Sequence, residues 1–327
     1  MTLTELKYIV AVARARHFGK AAEACFVSQP TLSVAVKKLE DELEVKLFER
    51  SAGEVTVTPL GAEIVRQAQS VLEQAAAIRE MARRGQDPLA GPLKLGVIYT
   101  IGPYLLPDLV RQAIERLPQM PLMLQENFTA RLLEMLRTGE IDCAILAEPF
   151  PDAGLALAPL YDEPFLAALP AAHPLAARAE LTTSQLKSET MLLLGAGHCF
   201  RDHVLHFCPE FAGAGYAEEG ARGSFEGSSL ETIKHMVASG LGVTLVPRLS
   251  ISAEALAPPA AQPGRPRHLH DDAALVRYLP VKDAETGAIP TRRVTLAWRR
   301  SFTRYEAIAA LRNAIYACEL PGVERLS

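Results

Sequence analysis

The stretch FVSQPTLSVAVKKLEDEL, residues 26–43, constrains the fold more than any other part of the sequence. Ser28 suits a helix N-cap, and Pro30 falls in the first turn, where its missing N–H is harmless. Apolar residues then recur at helical spacing and form one stripe that a helix would bury, consisting of Leu32, Val36, Leu39 and Leu43. The pattern predicts a helix whose polar face carries Gln29, Thr31, Ser33 and Lys37.

Two shorter helices are predicted before this one. Residues 4–16 have Thr4 as a candidate N-cap, and residues 17–25 carry small alanines that allow close packing. Two short helices joined by a tight turn form a helix-turn-helix, in which the second helix enters the major groove by its N-terminal turn. Gln can pair with a base edge there, and Ser or Thr can reach bases or phosphates. Spacing alone does not separate this arrangement from a three-helix bundle with a solvated polar face.

Charge does not decide between them, because the net charge of −4 gives no support for nucleic acid as a partner. The next segment, LFERSAGEVTVTPLG, alternates Val55 and Val57 with threonines, which predicts a short hairpin that could form a wing. In that arrangement Arg50 would face the phosphates.

A long helix is predicted over residues 59–84, with Pro59 at its first position. β-Branched residues repeat every seven positions and alanines follow each of them by four, namely Ile64, Val71 and Ile78 with Ala68, Ala75 and Ala82. This heptad suits a close two-stranded pairing. An amphipathic helix lying on its own domain would be the alternative. Dimerisation is favoured because no domain for it to lie on is evident, and residues 85–92, GQDPLAGP, then form a hinge.

Strand and helix patterns alternate after the hinge. Strands are predicted for LKLGVI, LMLQEN, CAILA, FLAAL, MLLL and GVTLVP, and helices for residues 129–138, 228–239 and 301–318. This predicts an α/β arrangement with largely parallel sheets, and the Ala/Pro-rich residues 257–272 predict a surface loop. No apolar run approaches the ~18 residues of a membrane span and no secretory leader is evident, so we expect a cytoplasmic protein.

Residues 197–209, GHCFRDHVLHFCP, hold two of the five cysteines and three of the eight histidines. Cys199, His203 and His206 have spacings that would place metal ligands on one helix face, but solvated histidines explain the spacing equally well. Cys199 and Cys208 could otherwise be a redox pair or two ordinary core thiols, and residue spacing does not separate these two; no metal or cofactor is predicted. The remaining thiols, Cys25, Cys143 and Cys318, are expected to be small buried hydrophobes.

Residues 21–61 resemble the N-terminal winged helix-turn-helix of the LysR-type transcriptional regulators. The elements SQPTLS, LE-x-x-L, LFER and T-x-x-G occur in order at the expected spacing. The resemblance extends over nearly the whole chain and implies a winged domain (1–58), a dimerising linker helix with its hinge (59–92), and a regulatory domain (93–327). The regulatory domain would comprise two α/β subdomains resembling a periplasmic binding protein, one spanning about 93–162 and 270–327, the other about 163–269.

MLLLGAGHCFRD, the later FCP and IYTIGPYLLP resemble the peroxide-sensing branch of that family. The resemblance implies that Cys199 is the peroxide-reactive thiol and that Cys208 resolves it into a disulfide. Further residues implied to position hydrogen peroxide are Thr100, Thr129, His198 and, from the TRRVTLAW segment, Arg293 in preference to Arg292. DNA-binding residues implied by the same resemblance are Gln29, Pro30, Thr31, Ser33, Lys37 and Arg50.

The implied partners are a double-stranded DNA operator, a second copy through the linker helix in a homodimer or homotetramer, RNA polymerase, and a reductase such as glutaredoxin or thioredoxin. The implied regulator is not an enzyme. Two other expectations compete with it: a LysR-type regulator that binds a small organic effector between its subdomains, and a peroxidase-like enzyme. A third, a metal sensor, depends on the histidines discussed above.

Spacing also predicts a conformational change. If residues 200–207 are helical, the Cα atoms of Cys199 and Cys208 lie roughly 13 Å apart. A disulfide requires a Cα separation of about 4.4–6.8 Å. The helix between the two cysteines must therefore unwind or bend before they can bond.

Overall fold

The computed structural model describes residues 1–51, 54–83, 89–211, 225–256 and 275–326. The N-terminal part contains α1 (Leu3–Ala15), α2 (Phe18–Ala24) and α3 (Gln29–Leu43), followed by a hairpin of β1 (Phe48–Ser51) and β2 (Glu54–Val57). The predicted winged helix-turn-helix is confirmed. Thr2, not Thr4, caps α1, because Glu5 at the third helical position completes a capping box with Thr2.

The linker helix α4 (Pro59–Arg83) lies on its own N-terminal domain along its first half. Val65 and Ala68 are buried in the same core as Leu6 and Ile9 of α1. The expectation that α4 has no domain to lie on is therefore wrong for this half, and Ala68 is not available to a partner helix. Val71 and Ile78 are exposed farther along α4, while the side chain of Ala82 is outside the described residues.

The second half of α4 also contacts the C-terminal domain through Glu73. The Glu73 carboxylate forms an ion pair with Arg299 at 2.5 Å and accepts a hydrogen bond from Ser301 Oγ at 2.6 Å. Arg299 in turn donates to the carbonyl of Ile141 at 2.8 Å. This largely buried network joins the linker helix to the sheet described next.

The C-terminal domain alternates strands and helices. In chain order these are β3 (Leu93–Ile98), α5 (Gly102–Arg116), β4 (Leu122–Asn127), α6 (Thr129–Arg137), β5 (Cys143–Ala147), β6 (Leu155–Pro170), β7 (Leu181–Thr182), α7 (Thr183–Leu186), β8 (Leu192–Leu194), α8 (Cys199–Phe207), β9 (Phe225–Gly227), α9 (Leu230–Ala238), β10 (Thr244–Pro247), α10 (Ala253–Leu256), β11 (Val276–Lys282), β12 (Thr291–Arg299), α11 (Tyr305–Ala317) and β13 (Glu324–Arg325).

Strand order in the main sheet is β4-β3-β5-β12-β6-β11-β7, with β10 and β13 also paired to β6. β3 is parallel to β4 and β5, but β12 runs antiparallel to both β5 and β6, and β11 and β10 run antiparallel to β6. The sheet is thus mixed, and the prediction of a largely parallel sheet is wrong. Strands β8 and β9 form a separate parallel pair.

β6 connects the two halves of the C-terminal domain. Residues 155–164 pair with β12, and residues 165–170 pair with β10 and β11. One apolar core lies around β3, β5 and α11, and a second lies around β8, α8 and α9. The candidate site residues around Cys199 lie where these two halves meet.

Three sequence predictions concern residues only partly described or not described. The predicted 257–272 loop and residues 85–88 of the predicted hinge lie outside the described residues, as does the side chain of Arg50. None of the described helices combines the length and the apolar composition needed to cross a lipid bilayer.

Candidate functional sites: a DNA-facing helix and a buried thiol pocket

The N-terminal turn of α3 presents polar side chains to solvent. Ser28 accepts a hydrogen bond from the Thr31 N–H at 3.3 Å, which fixes the start of the helix. Buried side chains on the opposite face anchor it, namely Leu32, Val36 and Leu39. Of the predicted DNA-binding residues, those exposed are Gln29, Pro30, Thr31 and Lys37, and Ser33 is half-buried. Val34, which the sequence pattern did not single out, is also exposed on this helix.

Cys199 begins α8 and faces a small cavity where the two halves of the C-terminal domain meet. The cavity has a volume of about 10 Å³, enough for roughly one water-sized molecule. Its lining residues come from three segments of the chain: Ile98, Tyr99 and Thr100; Asn127, Phe128 and Thr129; and Gly197, His198 and Cys199. The structure therefore brings together Thr100, Thr129, His198 and Cys199 as predicted.

The surroundings of Cys199 act on its pKa in opposite directions. Burial raises the pKa of the thiol, whereas the Thr129 hydroxyl and the positive charge of Arg292 lower it. Thr129 Oγ1 is buried, close enough to exert this effect, yet it has no partner with hydrogen-bond geometry among the described residues. That oxygen is therefore available to a small polar molecule in the cavity. Burial lowers the pKa of His198, so its imidazole is neutral at pH 7 and can donate or accept a hydrogen bond.

Arg292, and not Arg293, reaches the pocket. Arg292 is buried and donates to Thr100 Oγ1 at 2.8 Å, to the Thr100 carbonyl at 3.0 Å and to Glu163 at 2.9 Å. Arg293 is 46% exposed and pairs with Asp162 at 2.9 Å. Successive residues of a strand point to opposite faces, so only one of the two arginines on β12 can face Thr100. The sequence-based choice of Arg293 is wrong on this geometry.

Glu163, which sequence reasoning missed, orients Arg292. Both side chains are almost completely buried, with a closest contact of 2.7 Å. The second carboxylate oxygen of Glu163 accepts from the Leu249 N–H at 2.7 Å. Phe200 of α8 lies 5.4 Å from the Arg292 guanidinium, so the helix that follows Cys199 also contacts this arginine.

Cys208 ends α8 and is completely buried in the second core. The predicted helix between the two cysteines is present, and neither cysteine is in a disulfide. A helix of this length separates their Cα atoms by roughly 13 Å, beyond the reach of a disulfide. Cys143 and Cys318 are buried in the first core, where burial raises the pKa of each thiol.

The remaining histidines of this segment have structural surroundings. His203 Nε2 lies 2.7 Å from the Glu148 carbonyl, and His206 packs against the ring of Phe207. Within the described ranges, His, Cys, Asp and Glu side chains nowhere gather in the threes that a metal site requires.

Comparison with known proteins identifies the family to which this architecture belongs. A model of the bacterial regulatory helix-turn-helix proteins of the lysR family matches residues 3–62, and a model of the LysR substrate binding domain matches residues 86–317. The chain belongs to the LysR family. This LysR-family regulator is 39% identical over 312 residues to the hydrogen peroxide-inducible genes activator of Pectobacterium carotovorum subsp. carotovorum, with 94% of this chain and 95% of the relative covered.

Solved structures of the same family are also similar. A full-length OxyR variant from Pseudomonas aeruginosa matches with a TM-score of 0.74 and 48% identity over 98% of this chain and 99% of that chain. A Corynebacterium glutamicum OxyR mutant with bound H2O2 matches with a TM-score of 0.57 and 32% identity over 96% of this chain and 91% of that one. This LysR-family chain thus combines a winged helix-turn-helix with an α/β regulatory domain, and its relatives include regulators named for hydrogen peroxide.

Replacing each neighbouring arginine by lysine tests the assignment of the pocket arginine. Arg292→Lys keeps the positive charge but loses the planar fork that reaches Thr100 and Glu163 together, so oxidation of Cys199 by hydrogen peroxide should slow roughly ten- to a hundredfold. Arg293→Lys, the matched control, should oxidise at the wild-type rate because its partner Asp162 lies outside the pocket. The rates are measured by labelling residual thiol. Slowing in the Arg293 variant alone would contradict the assignment.

Proposed function

We propose that this chain is a transcriptional regulator that senses hydrogen peroxide by oxidation of Cys199 and a reversible Cys199–Cys208 disulfide. The observation that carries the proposal is the cavity itself. It places the Cys199 thiol beside the unpartnered Thr129 hydroxyl and the neutral His198 in a space of about 10 Å³. A space of that size admits one oxygen of hydrogen peroxide, with the second oxygen toward the outside, whereas it does not hold a small organic effector.

The first step is attack of the Cys199 thiolate on one peroxide oxygen. The sulfur–oxygen bond forms as the O–O bond breaks, and Cys199 becomes a sulfenic acid. The proton lost from the thiol is taken up by the leaving oxygen, which departs as water. Thr129 and His198 would hydrogen-bond the peroxide, and Arg292 would stabilise negative charge on sulfur and on the leaving oxygen while it holds Thr100 in place.

The second step joins the two cysteines. The Cys208 thiol attacks the sulfenic sulfur, the S–O bond breaks, and water leaves with the thiol proton. One peroxide and two thiols thus yield a disulfide and two waters. Because α8 separates the cysteines, this step requires the helix to unwind. A dithiol reductant of the glutaredoxin or thioredoxin kind would restore both thiols.

The proposed output is altered binding to a double-stranded operator. Gln29, Thr31 and Ser33, with Pro30 fixing the turn, would contact bases, and Lys37 and Arg50 would contact phosphates. Two copies joined through α4 would bind two half-sites, as a dimer or within a tetramer, and would act on RNA polymerase in the cytoplasm. In this role peroxide is a signal and the chain is not an enzyme.

Three apolar cores support the proposed division into a winged domain (1–58), a linker (59–92) and a regulatory domain (93–327). The proposed boundary between its subdomains, near residue 163, falls within β6. There the strand passes from its pairing with β12 to its pairing with β10 and β11.

Mass spectrometry before and after stoichiometric hydrogen peroxide tests the proposed function. We expect two of the five thiols to disappear and one linked pair of peptides to appear, joining Cys199 to Cys208. Cys143 and Cys318 provide internal controls, since both are buried and should keep their thiols. An unchanged thiol count under these conditions would mean that the chain does not sense peroxide in this way.

A further inference from the structure

Three aromatic rings line the thiol cavity and contact one another. Tyr99 and Phe128 lie 5.2 Å apart between ring centroids, and Phe128 lies 4.8 Å from the imidazole of His198. Tyr99 completes the triangle at 6.0 Å from His198. The pairs involving Phe128 are edge-on, which is a favoured arrangement of aromatic rings.

The position of these rings follows from the chain itself. Each ring residue directly precedes a residue of the cavity: Tyr99 precedes Thr100, Phe128 precedes Thr129, and His198 precedes Cys199. Thr100 is buried and Cys199 half-buried, while Tyr99 and Phe128 remain 40% and 36% exposed. The reactive groups are therefore inside and the two larger rings are outside, between the cavity and solvent.

The two outer rings are not required by the apolar cores. Neither Tyr99 nor Phe128 belongs to the residues that make up or pack against those cores. Gly197, which has a φ of +97° that favours glycine, lies beside Phe128, and a Cβ there would be in ordinary van der Waals contact with the ring at 3.4 Å. The two rings lie over a cavity of about 10 Å³ and therefore limit the size of the molecule that can enter it.

We infer that Tyr99 and Phe128 form the entrance that selects which peroxide reaches Cys199. This inference rests on the proposed function and adds its specificity. A peroxide oxygen must approach Sγ within the cavity, so any group on the second oxygen must point outward, between the rings. A hydrogen atom fits there without displacing them. A branched alkyl group does not, because the rings in their edge-on arrangement leave space for about one water-sized molecule.

The chemistry of the two substrate classes is otherwise the same. With an alkyl hydroperoxide the Cys199 thiolate attacks the terminal oxygen, the O–O bond breaks, and the alkoxide leaves and takes up the thiol proton to give an alcohol. Cys199 becomes the same sulfenic acid as with hydrogen peroxide. Any difference in rate therefore reports access and fit at the entrance rather than a different reaction.

The test compares hydrogen peroxide with tert-butyl hydroperoxide on the full-length reduced protein. Tyr99→Ala/Phe128→Ala should raise the rate of Cys199 oxidation by tert-butyl hydroperoxide roughly tenfold or more. Its rate with hydrogen peroxide should rise by less, because a hydrogen atom on the second oxygen does not meet the rings, so the ratio of the two rates should shift toward tert-butyl hydroperoxide. Phe26→Ala, which removes an exposed ring from the N-terminal domain, is the matched control and should leave both rates unchanged.

The possible outcomes distinguish failure of the inference about the entrance from failure of the proposed function. If wild-type Cys199 does not react with hydrogen peroxide, the proposed function fails. If it reacts and the ratio of the two rates is the same in wild type and double variant, only the inference about the entrance fails. Phe128→Leu serves if the double variant does not fold: it keeps an apolar side chain but removes the ring, and the same shift of the ratio is expected, to a smaller extent.

Discussion

A Cys199→Ser variant should keep a single footprint on its operator at every dose of hydrogen peroxide, whereas the wild-type footprint should shift. Serine occupies the same space but offers no thiolate, so the O–O bond is not attacked and α8 stays helical. The variant should therefore lose the whole response while keeping its affinity for DNA. DNase footprinting with and without peroxide measures both properties on one operator.

Two further cysteine variants make this test specific. Cys208→Ser should still form a sulfenic acid at Cys199, detectable by a sulfenic-acid probe, but no 199–208 disulfide and no shifted footprint. Cys318→Ser is the matched control, because that thiol is buried and donates to the Ala314 carbonyl, as a serine hydroxyl can. It should shift like wild type. A peroxide-dependent shift in the Cys199→Ser footprint would falsify the mechanism.

Unwinding α8 disturbs more than the two cysteines. Phe200, Val204 and Cys208 are all buried in the second core, so a disulfide forms at the expense of that packing. Unwinding of α8 would also withdraw the ring of Phe200 from Arg292, which it contacts at 5.4 Å. A disulfide that stores this strain is reduced more readily than an unstrained one, which favours a reversible signal.

The sheet provides a physical connection between the sensor pocket and the linker helix. β12 carries Arg292 near one end, in contact with Thr100 and Phe200, and Arg299 at its other end, in contact with Glu73 of α4. β12 is paired with a strand on each side, which makes it stiff. A change in the packing of Arg292 and the contact with α4 therefore involve the same rigid strand.

Local sequence patterns predicted the elements that are stabilised locally. α3 and α6 have apolar stripes, and α8 has Cys199, His203 and His206 at helical spacings of four and three. The antiparallel pairing of β12 was missed, and only the FLAAL part of the 16-residue β6 was predicted. β12 pairs with residues more than 100 positions away, and the first part of β6 is defined by that same pairing. No short window of sequence records such pairings.

In the candidate site too, local sequence predicted some residues, and others depend on how distant segments pair. Thr100, His198 and Cys199 lie in the motifs that resemble the peroxide-sensing branch, Thr129 was implied by the same resemblance, and the structure places all four around one cavity. Which of Arg292 and Arg293 faces that cavity depends on which side of the sheet each side chain of β12 occupies. The sequence TRRVTLAW has one arginine for each side and so does not decide between them. The Tyr99 and Phe128 rings had a signal that was overlooked, since each directly precedes a threonine of the pocket.

The second large effect is expected in the linker helix. Val71→Glu should convert the protein to monomers at concentrations where wild type is dimeric, and should weaken binding to a palindromic operator by roughly a thousandfold or more. Val71 is 37% exposed and Ile78 is 68% exposed in the single chain, so the first change should not disturb its own fold. In a pair of helices the two new carboxylates would be buried against each other without partners, at a cost of several kcal/mol each.

The two halves of α4 differ in burial, which allows a matched control for this test. Val65 and Ala68 of its first half are already covered by the N-terminal core, whereas Val71 and Ile78 farther along are exposed and available to a partner helix. Ala76→Glu is the matched control: it adds the same charge at another exposed position, about 140° around the helix from Val71. Sedimentation and operator titration should show wild-type behaviour for this control. If full-length Val71→Glu still binds the palindromic site like wild type, the copies must pair through another surface, and the exposed Val71 and Ile78 would need a different explanation.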